Sequence, residues 1–293
     1  MKIGVCLPYN KPEIDRKTTL DWCRAIEAGP FSAITCGERI TGPSQEMNVL
    51  LSAAAALTER VRIVPSLYVL PMHSAVWAAK QIATLDVLSG GRVTVTVGVG
   101  GREVDYRAVG ASFARRHPRM DEQIAEMRRI WAGEPPFEGA DPVGPLPVQK
   151  GGPPILAGAM GPKAIARASR WAQGIYAFTM NGDTAPVEQW YRLAEEAWQE
   201  AGRSERPQRV TGFWYSLADD ADARLKKYVY DYLKVLGEGA AKAVSSSMSL
   251  STPDAVRAAL DAIEELGCDE LYLVPATADL CEMERVVELL ESR

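Results

Sequence analysis

The chain has 293 residues, of which 47% are hydrophobic and 24% are charged, and its formal net charge is −5. This composition is that of a globular domain, and the negative charge argues against a nucleic-acid or anionic-membrane partner, since both favour a basic surface. No apolar run reaches the roughly 18 residues of a transmembrane helix and the N-terminus lacks a signal sequence, so we expect a cytoplasmic protein with a small-molecule substrate.

Short β-branched runs alternate with amphipathic segments along the whole chain. Eight runs are predicted to be strands: 3–7, 31–36, 61–69, 93–99, 154–157, 174–178, 210–217 and 270–274. Strands separated by helices imply right-handed crossovers and a parallel sheet. Eight such units favour an α/β fold of the closed (β/α)8 TIM-barrel type, formed by one domain over residues 1–293. An open doubly wound sheet is the alternative.

Two longer segments interrupt the repeat, near residues 133–152 and 237–252. Loops of this length in a compact domain are usually functional, so we expect both to cross the mouth or rim of the barrel, the second as a lid.

Two helical segments, MNVLLSAAAALTE and SAVWAAKQIATLDVLSG, are apolar around more of their circumference than one buried face requires. Such helices are usually buried on more than one side. We therefore expect a homodimer with these helices at its interface; the alternative is burial under the chain's own loops.

Several kinds of chemistry lack the residues they need. The chain has only two histidines, His73 and His117, too few for a typical hydrolytic metal site, and no GxSxG motif for a serine nucleophile. Its five cysteines are odd in number and show no CxxC spacing, so we predict neither a metal site nor a disulfide framework.

Two glycine-containing segments follow predicted strands, where a barrel carries its working groups. In AGAMGPKAIARASRWAQG, the residues Gly158, Ala159, Met160 and Gly161 precede a helix whose backbone N–H groups suit a phosphate, although an ordinary tight turn is the alternative. GVGGRE contains Gly98, Gly100 and Gly101 but does not fit the dinucleotide-binding pattern GxGxxG. Small residues at this strand end suit the close approach of a flat ring.

The segment ATLDVLSGGRVTVTVGVGGREVDYRAVGASFARRHPRMDEQIAEMRRIW, together with PPILAGAMGPKAIARASRWAQG and RVRIVPSLYVLPM, resembles the bacterial luciferase-like flavin-dependent oxidoreductases. The resemblance covers about the first two thirds of the chain. It implies a (β/α)8 barrel that holds coenzyme F420, a 5-deazaflavin, or FMN at the C-terminal ends of the strands, and a separate reductase as a possible partner. It also implies a non-prolyl cis peptide bond between Ser66 and Leu67, against one face of the ring.

The same resemblance indicates catalytic candidates. The family often has an acidic residue followed by histidine after the second strand, where this chain has Glu38 and Arg39. Glu38 is a candidate for moving a proton, and Arg39 for binding an anionic group, including one of the cofactor; a salt bridge at the rim is the alternative for both. His73 and Glu103 are further acid–base candidates, against the alternatives of a packed histidine and a solvated carboxylate.

We interpret the chain as an oxidoreductase that uses coenzyme F420 for hydride transfer to or from a small organic substrate. SLYVLPM together with CGER looks more like the deazaflavin-using branches of the family. An FMN-dependent monooxygenase that uses oxygen is the first alternative, and a flavin-binding barrel without turnover is the second.

Overall fold

All 293 residues are described by a computed structural model, in which parallel strands alternate with helices. The strands are β1 (Lys2–Cys6), β2 (Ala33–Cys36), β3 (Arg62–Tyr68), β4 (Val95–Val97), β5 (Ile155–Gly158), β6 (Gly174–Met180), β7 (Gln208–Tyr215) and β8 (Glu270–Pro275). The helices are α1 (Arg16–Ala28), α2 (Met47–Leu57), α3 (Ala75–Leu88), α4 (Glu103–Ala108), α5 (Arg116–Trp131), α6 (Pro162–Ala168), α7 (Thr184–Glu200), α8 (Ala221–Leu233), α9 (Glu238–Ser246), α10 (Pro253–Glu265) and α11 (Cys281–Glu291), with short 3-10 turns at Leu70–Met72 and Lys234–Leu236.

The eight strands form a closed barrel. Each strand pairs in parallel with the next, and β8 pairs with β1. The predicted (β/α)8 barrel is therefore confirmed, and the open sheet is wrong. Predicted and observed strands differ by at most two residues at either end, which is the usual uncertainty of strand boundaries.

Two layers of apolar side chains stabilise the barrel. The larger lies between the strands and the surrounding helices. The smaller fills the inside of the barrel and consists of Ala33, Val64, Leu156, Tyr176, Val210 and Tyr272. Alternate residues of a strand point to opposite faces, so six of the eight strands contribute to both layers, while β1 and β4 contribute only to the outer one. The interior is thus a packed core, and only its upper end is open to a ligand.

A buried ion pair closes the lower end of the barrel. Arg62, the first residue of β3, forms a salt bridge with Glu270, the first residue of β8, whose side chain is 1% exposed. Ser32 and the phenol of Tyr272 also donate hydrogen bonds to this carboxylate. A buried charge needs such partners because burial removes its hydration. Nothing in this arrangement faces a ligand, so its role is structural.

The two long segments lie at opposite ends of the barrel. In the first, Gln149 donates hydrogen bonds from its side chain to the carboxylate of Asp86 and to the carbonyl oxygen of Val93, below the start of β4. Our expectation that this segment crosses the mouth is wrong, because these polar groups hold it at the bottom. The second segment begins directly after Val235 and Leu236, which line the cavity at the mouth, so it starts at this end of the barrel.

The helices α2 and α3 pack side by side and carry apolar residues on their outer surface. Val49 is 69% exposed and Trp77 is 62% exposed, so the chain's own loops do not cover this part of the two helices. No helix in the structure combines the length and the apolar character that crossing a membrane requires.

Candidate active site

A cavity of about 280 Å³ opens at the C-terminal ends of the strands, where barrel enzymes carry their active sites. Its size is close to the lower end of the ~300–1,000 Å³ range typical of small-molecule sites. Hydrophobic residues make up 16 of the 24 that line it. The polar groups are few and come mainly from the loops after β2, β3 and β4, so they converge on one side of the cavity.

Glu38 is held in the wall of this cavity by two hydrogen bonds. One carboxylate oxygen lies 2.6 Å from Nε2 of His73, and the other accepts a 2.6 Å bond from the backbone N–H of Val69. Only 4% of the Glu38 side chain is exposed. His73 is not among the lining residues and lies behind Glu38. Of the acid–base candidates found in the sequence, Glu38 therefore faces the cavity and His73 orients it.

His73 is itself fixed by helix α5. Its carbonyl oxygen accepts a 2.7 Å hydrogen bond from the side-chain amide of Gln123 and a 3.0 Å bond from the guanidinium of Arg119. His73 also ends the 3-10 turn at Leu70–Met72, so its backbone is held from two sides. A histidine held in this way orients its bonded carboxylate.

The peptide bond between Ser66 and Leu67 is cis, as predicted. Both residues line the cavity, and Oγ of Ser66 is buried without a hydrogen-bond partner in the protein. The Leu67 side chain lies against two glycines: a Cβ atom would be 2.9 Å from it at Gly98 and 2.4 Å at Gly158. We expected Gly98 to leave room for a ring directly. The structure instead shows that Gly98 and Gly158 leave room for Leu67, which in turn faces the cavity.

Gly100 and Gly101 do line the cavity, in the loop after β4. Gly100 has a φ of 59° and its Cα lies close to Val69, so a side chain there would be strained and crowded. At Gly101 no atom lies within 4 Å of the position of a Cβ. A side chain at Gly101 would therefore extend into open space at the exposed edge of the cavity.

The loop after β4 that contains Gly100 and Gly101, here called the glycine loop, is connected to the loop after β2 by a small polar cluster. Asp105 accepts a 3.1 Å hydrogen bond from Nε of Arg102 and a 3.0 Å bond from the backbone N–H of Thr41. Burial raises the pKa of Asp105, but the bonds from Thr41 and Arg102 outweigh it and hold this pKa below its ordinary value. Glu103, our third acid–base candidate, begins α4, is exposed and does not line the cavity.

The loop predicted to bind phosphate follows β5 and precedes α6, as expected. Its residues Gly158, Ala159, Met160 and Gly161 lie outside the lining of the cavity. Ala159 is buried, and Met160 is 52% exposed. The backbone N–H groups of this loop reach a ligand only if that ligand extends out of the cavity.

Aromatic side chains that the sequence analysis missed form the opposite side of the cavity, here called the aromatic wall (Phe178, Trp214, Tyr228 and Tyr232). Phe178 lies near the C-terminal end of β6 and Trp214 near that of β7, while Tyr228 and Tyr232 lie one turn apart on α8. Trp214 lies edge-on to Phe178 at 4.8 Å and to Tyr232 at 5.1 Å between ring centroids. The positions of Phe178 and Trp214 could be predicted, because strand ends face the mouth of a barrel. No local sequence signal marks Tyr228 and Tyr232 on α8.

These groups suit a flat, largely apolar ring. Leu67, Gly100 and Gly101 line this side of the cavity without polar side chains, and the unpartnered Oγ of Ser66 offers a hydrogen bond to a ligand. Cys6 also lines the cavity, but burial raises the pKa of its thiol to about 11, which leaves it protonated and a poor nucleophile. The residues therefore fit a flavin or deazaflavin ring better than a covalent mechanism based on this cysteine.

Comparisons with known proteins agree with this geometry. The sequence profile of the family described as luciferase-like monooxygenase matches residues 1–292. An uncharacterized protein of Mycobacterium tuberculosis (strain ATCC 25618 / H37Rv) is 34% identical over 170 residues, 55% of this chain and 59% of that protein. The 2,5-diketocamphane 1,2-monooxygenase 1 of Pseudomonas putida is 32% identical over 140 residues, 45% of this chain and 38% of that protein. The chain therefore matches well under two thirds of the length of these relatives.

Solved structures share the fold over the whole chain. The monooxygenase RslO1 from Streptomyces bottropensis has a TM-score of 0.79 at 23% identity, with 100% of this chain and 98% of that one covered. An F420-dependent secondary alcohol dehydrogenase, solved with an F420-acetone adduct, has a TM-score of 0.77 at 18% identity, with 99% and 98% covered. At these identities the likeness extends to the fold alone.

Proposed function

Because the chain belongs to the luciferase-like monooxygenase family, we propose that it is an oxidoreductase that binds coenzyme F420 and exchanges a hydride with a small organic substrate. The observation that carries this proposal is Glu38, a buried carboxylate fixed by His73 and Val69 at the edge of an otherwise apolar cavity. Hydride transfer to a carbonyl or from an alcohol also moves a proton, and this carboxylate is placed to move it.

The cofactor would lie on the side of the cavity formed by β3 and β4. Ser66 and Leu67 would support one face of the ring, with Gly100 and Gly101 at its edge. Gly158, Ala159, Met160 and Gly161 would bind the part of the cofactor that extends beyond the cavity. When bound, a deazaflavin supplies hydride exchange at its C5 atom. The protein supplies orientation, exclusion of water and a proton donor or acceptor.

Each oxygen of Glu38 has two lone pairs, so either one can accept a substrate hydroxyl proton in addition to its present hydrogen bond. In alcohol oxidation, Glu38 would take the hydroxyl proton as the hydride leaves the carbon. In carbonyl reduction, the Glu38–His73 pair would return a proton to the oxygen. His73 would keep the carboxylate pointed at the substrate in both directions.

An FMN-dependent monooxygenase is the second candidate. It is supported by the diketocamphane monooxygenase among the relatives and by the apolar lining of the cavity, which Val235 and Leu236 help to close. Excluding water protects reactive flavin–oxygen chemistry from side reactions. This candidate also needs a separate reductase that delivers reduced FMN.

Titration of the purified protein with each cofactor tests the proposal, with quenching of tryptophan fluorescence as the readout. We expect F420 to bind at least 10-fold more tightly than FMN. Gly101→Phe should weaken this binding at least 10-fold because it fills open space in the cavity, and Gly239→Phe on the exposed face of α9 should leave it within twofold. Tight binding of FMN alone would favour the monooxygenase. Binding without any spectral change on adding reductant, oxygen or substrates would favour a barrel without turnover.

We also propose that the protein is a homodimer that buries Val49 and Trp77 between two copies of the α2 and α3 surface. Large exposed apolar side chains on neighbouring helices are typical of such interfaces. Trp77→Glu should convert the dimer to a monomer in analytical ultracentrifugation. Phe137→Glu changes a residue that is 70% exposed outside these helices and should leave the dimer intact. A monomeric wild-type protein at micromolar concentration contradicts the proposal.

A further inference from the structure

Arg39 is the one cationic side chain in the cavity wall that lacks a carboxylate partner. Its Nη2 donates a 2.9 Å hydrogen bond to the carbonyl oxygen of Tyr232, and its guanidinium lies 3.7 Å from the centroid of the Tyr232 ring. Its Nε is buried and has no hydrogen-bond partner. Four other arginines also bury an unpaired Nε, so Arg39 is distinguished by the combination of this unpaired donor, the absence of a carboxylate partner and a position in the cavity lining.

The other charges around the cavity are already paired. Arg102 forms a salt bridge with Asp105, and Glu38 directs one oxygen to His73 and the other to the backbone of Val69. No carboxylate of the protein lies within salt-bridge distance of Arg39, in contrast to these two pairs. A partly buried guanidinium that has no counter-ion binds an anionic oxygen more strongly than an exposed one does.

The position of Arg39 separates it from the surface that supports the cofactor. Arg39 follows β2 and reaches across the mouth to Tyr232 on α8, which itself follows β7. In the closed barrel β3, which carries Ser66 and Leu67, lies opposite β7. A ligand atom that accepts a hydrogen bond from Nε of Arg39 would therefore lie at the end of the aromatic wall, between the ring of the proposed cofactor and α8.

The aromatic wall determines the shape of such a ligand. Its four rings form one surface that begins at Tyr232 beside Arg39 and continues through Trp214 to Phe178. Planar aromatic molecules stack on or lie edge-on to surfaces of this kind, and such contacts add to the effect of burial. An apolar ring and an anionic oxygen are thus recognised by neighbouring groups.

We infer that the substrate is a planar aromatic molecule with an anionic oxygen, and that Arg39 binds this oxygen while the aromatic wall holds the rings. This inference rests on the proposed function for the assignment of the ligand as the substrate. Arg39 is then a specificity-determining residue: it selects anionic aromatic substrates over neutral ones of the same shape. Glu38 and its neighbours move the proton and are separate from this selection.

Calorimetric titration with 2-naphthoate and with 2-naphthamide tests the inference, since the two probes share a ring system and differ in charge. The protein is used with whichever cofactor it binds, or alone if it binds neither. Wild-type protein should bind 2-naphthoate at least 10-fold more tightly than 2-naphthamide. Arg39→Met should remove this preference by weakening 2-naphthoate at least 10-fold, with 2-naphthamide within twofold. Arg39→Lys, which keeps the charge but loses the Nε–H, should give an intermediate result.

Lys11→Met is the matched control, because Nζ of Lys11 lies 4.9 Å from the centroid of the Tyr228 ring but Lys11 does not line the cavity. It should change the binding of either probe by less than threefold. The inference is overturned if neither probe binds, if wild-type protein shows no preference, if Arg39→Met weakens both probes equally, or if it weakens only the cofactor. If the protein binds no cofactor but still prefers 2-naphthoate to 2-naphthamide, the proposed function is contradicted. The role of Arg39 in selecting anionic ligands is then still supported.

Discussion

Replacing Glu38 by glutamine is expected to lower the turnover number about 100- to 10,000-fold, the range contributed by a positioned acid or base. Glutamine has nearly the same shape but cannot take up a proton, and its NH2 group would face either the N–H of Val69 or Nε2 of His73. The dissociation constant of the cofactor should change less than threefold. Steady-state assays of cofactor absorbance, with the best substrate from a panel of aromatic alcohols and ketones, measure the effect.

Two further variants separate the roles of the three acid–base candidates. His73→Gln keeps a hydrogen-bonding side chain beside Glu38 but changes its shape and reach, so it should lower turnover less than Glu38→Gln does. Glu103→Gln, on an exposed side chain outside the cavity lining, should change turnover less than twofold. Turnover of Glu38→Gln within threefold of wild type would refute the proposed role of Glu38.

Replacing Arg62 by methionine is expected to lower the free energy of unfolding by about 3–5 kcal/mol, as is usual when one partner of a buried ion pair is removed. The carboxylate of Glu270 would keep its hydrogen bonds from Ser32 and Tyr272, but it would lose its cation at a position where its side chain is 1% exposed. Urea unfolding followed by circular dichroism measures the loss.

The double variant Arg62→Met with Glu270→Gln tests the reason for this loss. Glutamine carries no charge, its amide oxygen can accept a hydrogen bond from one of the hydroxyls of Ser32 and Tyr272, and its NH2 group can donate to the other, so most of the lost stability should return. Arg115→Met, which breaks an ion pair with both side chains at least 64% exposed, should cost at most about 1 kcal/mol. If Arg62→Met costs as little as this exposed control, the buried ion pair does not stabilise the barrel.

The alternation of strands and helices is a local property of the sequence, and it was sufficient to predict the closed barrel and each strand to within two residues. Glu38 follows the end of a parallel strand, which places it at the mouth, but its role and the Ser66–Leu67 bond were indicated by the family resemblance. The family resemblance seen in the segments around Gly98 and Gly158 is confirmed by the match over residues 1–292. These features depend on periodicity and on motifs that are contiguous in the chain.

Only the tertiary structure decided which of these residues face the cavity. Gly98 and Gly158 are small because Leu67, distant from both in the sequence, occupies the space beside them. Glu103 follows a strand end but turns outward with α4, whereas Asp105 on the same helix turns inward to Arg102 and Thr41. Whether a side chain points into the cavity or away from it depends on packing between segments that are distant in the sequence, which local sequence patterns do not predict.

The contacts of Arg39 with the rest of the protein also could not be predicted from the sequence. The sequence identified Arg39 as a place for an anion, but Tyr232 lies 193 residues away on α8, and its ring and carbonyl oxygen set the orientation of the guanidinium. The sequence by itself thus determined the architecture and the strand ends that bear polar groups, since both follow from local periodicity. The aromatic wall and the unpaired Nε of Arg39 arise only when the closed barrel brings β2, β6, β7 and α8 around one cavity.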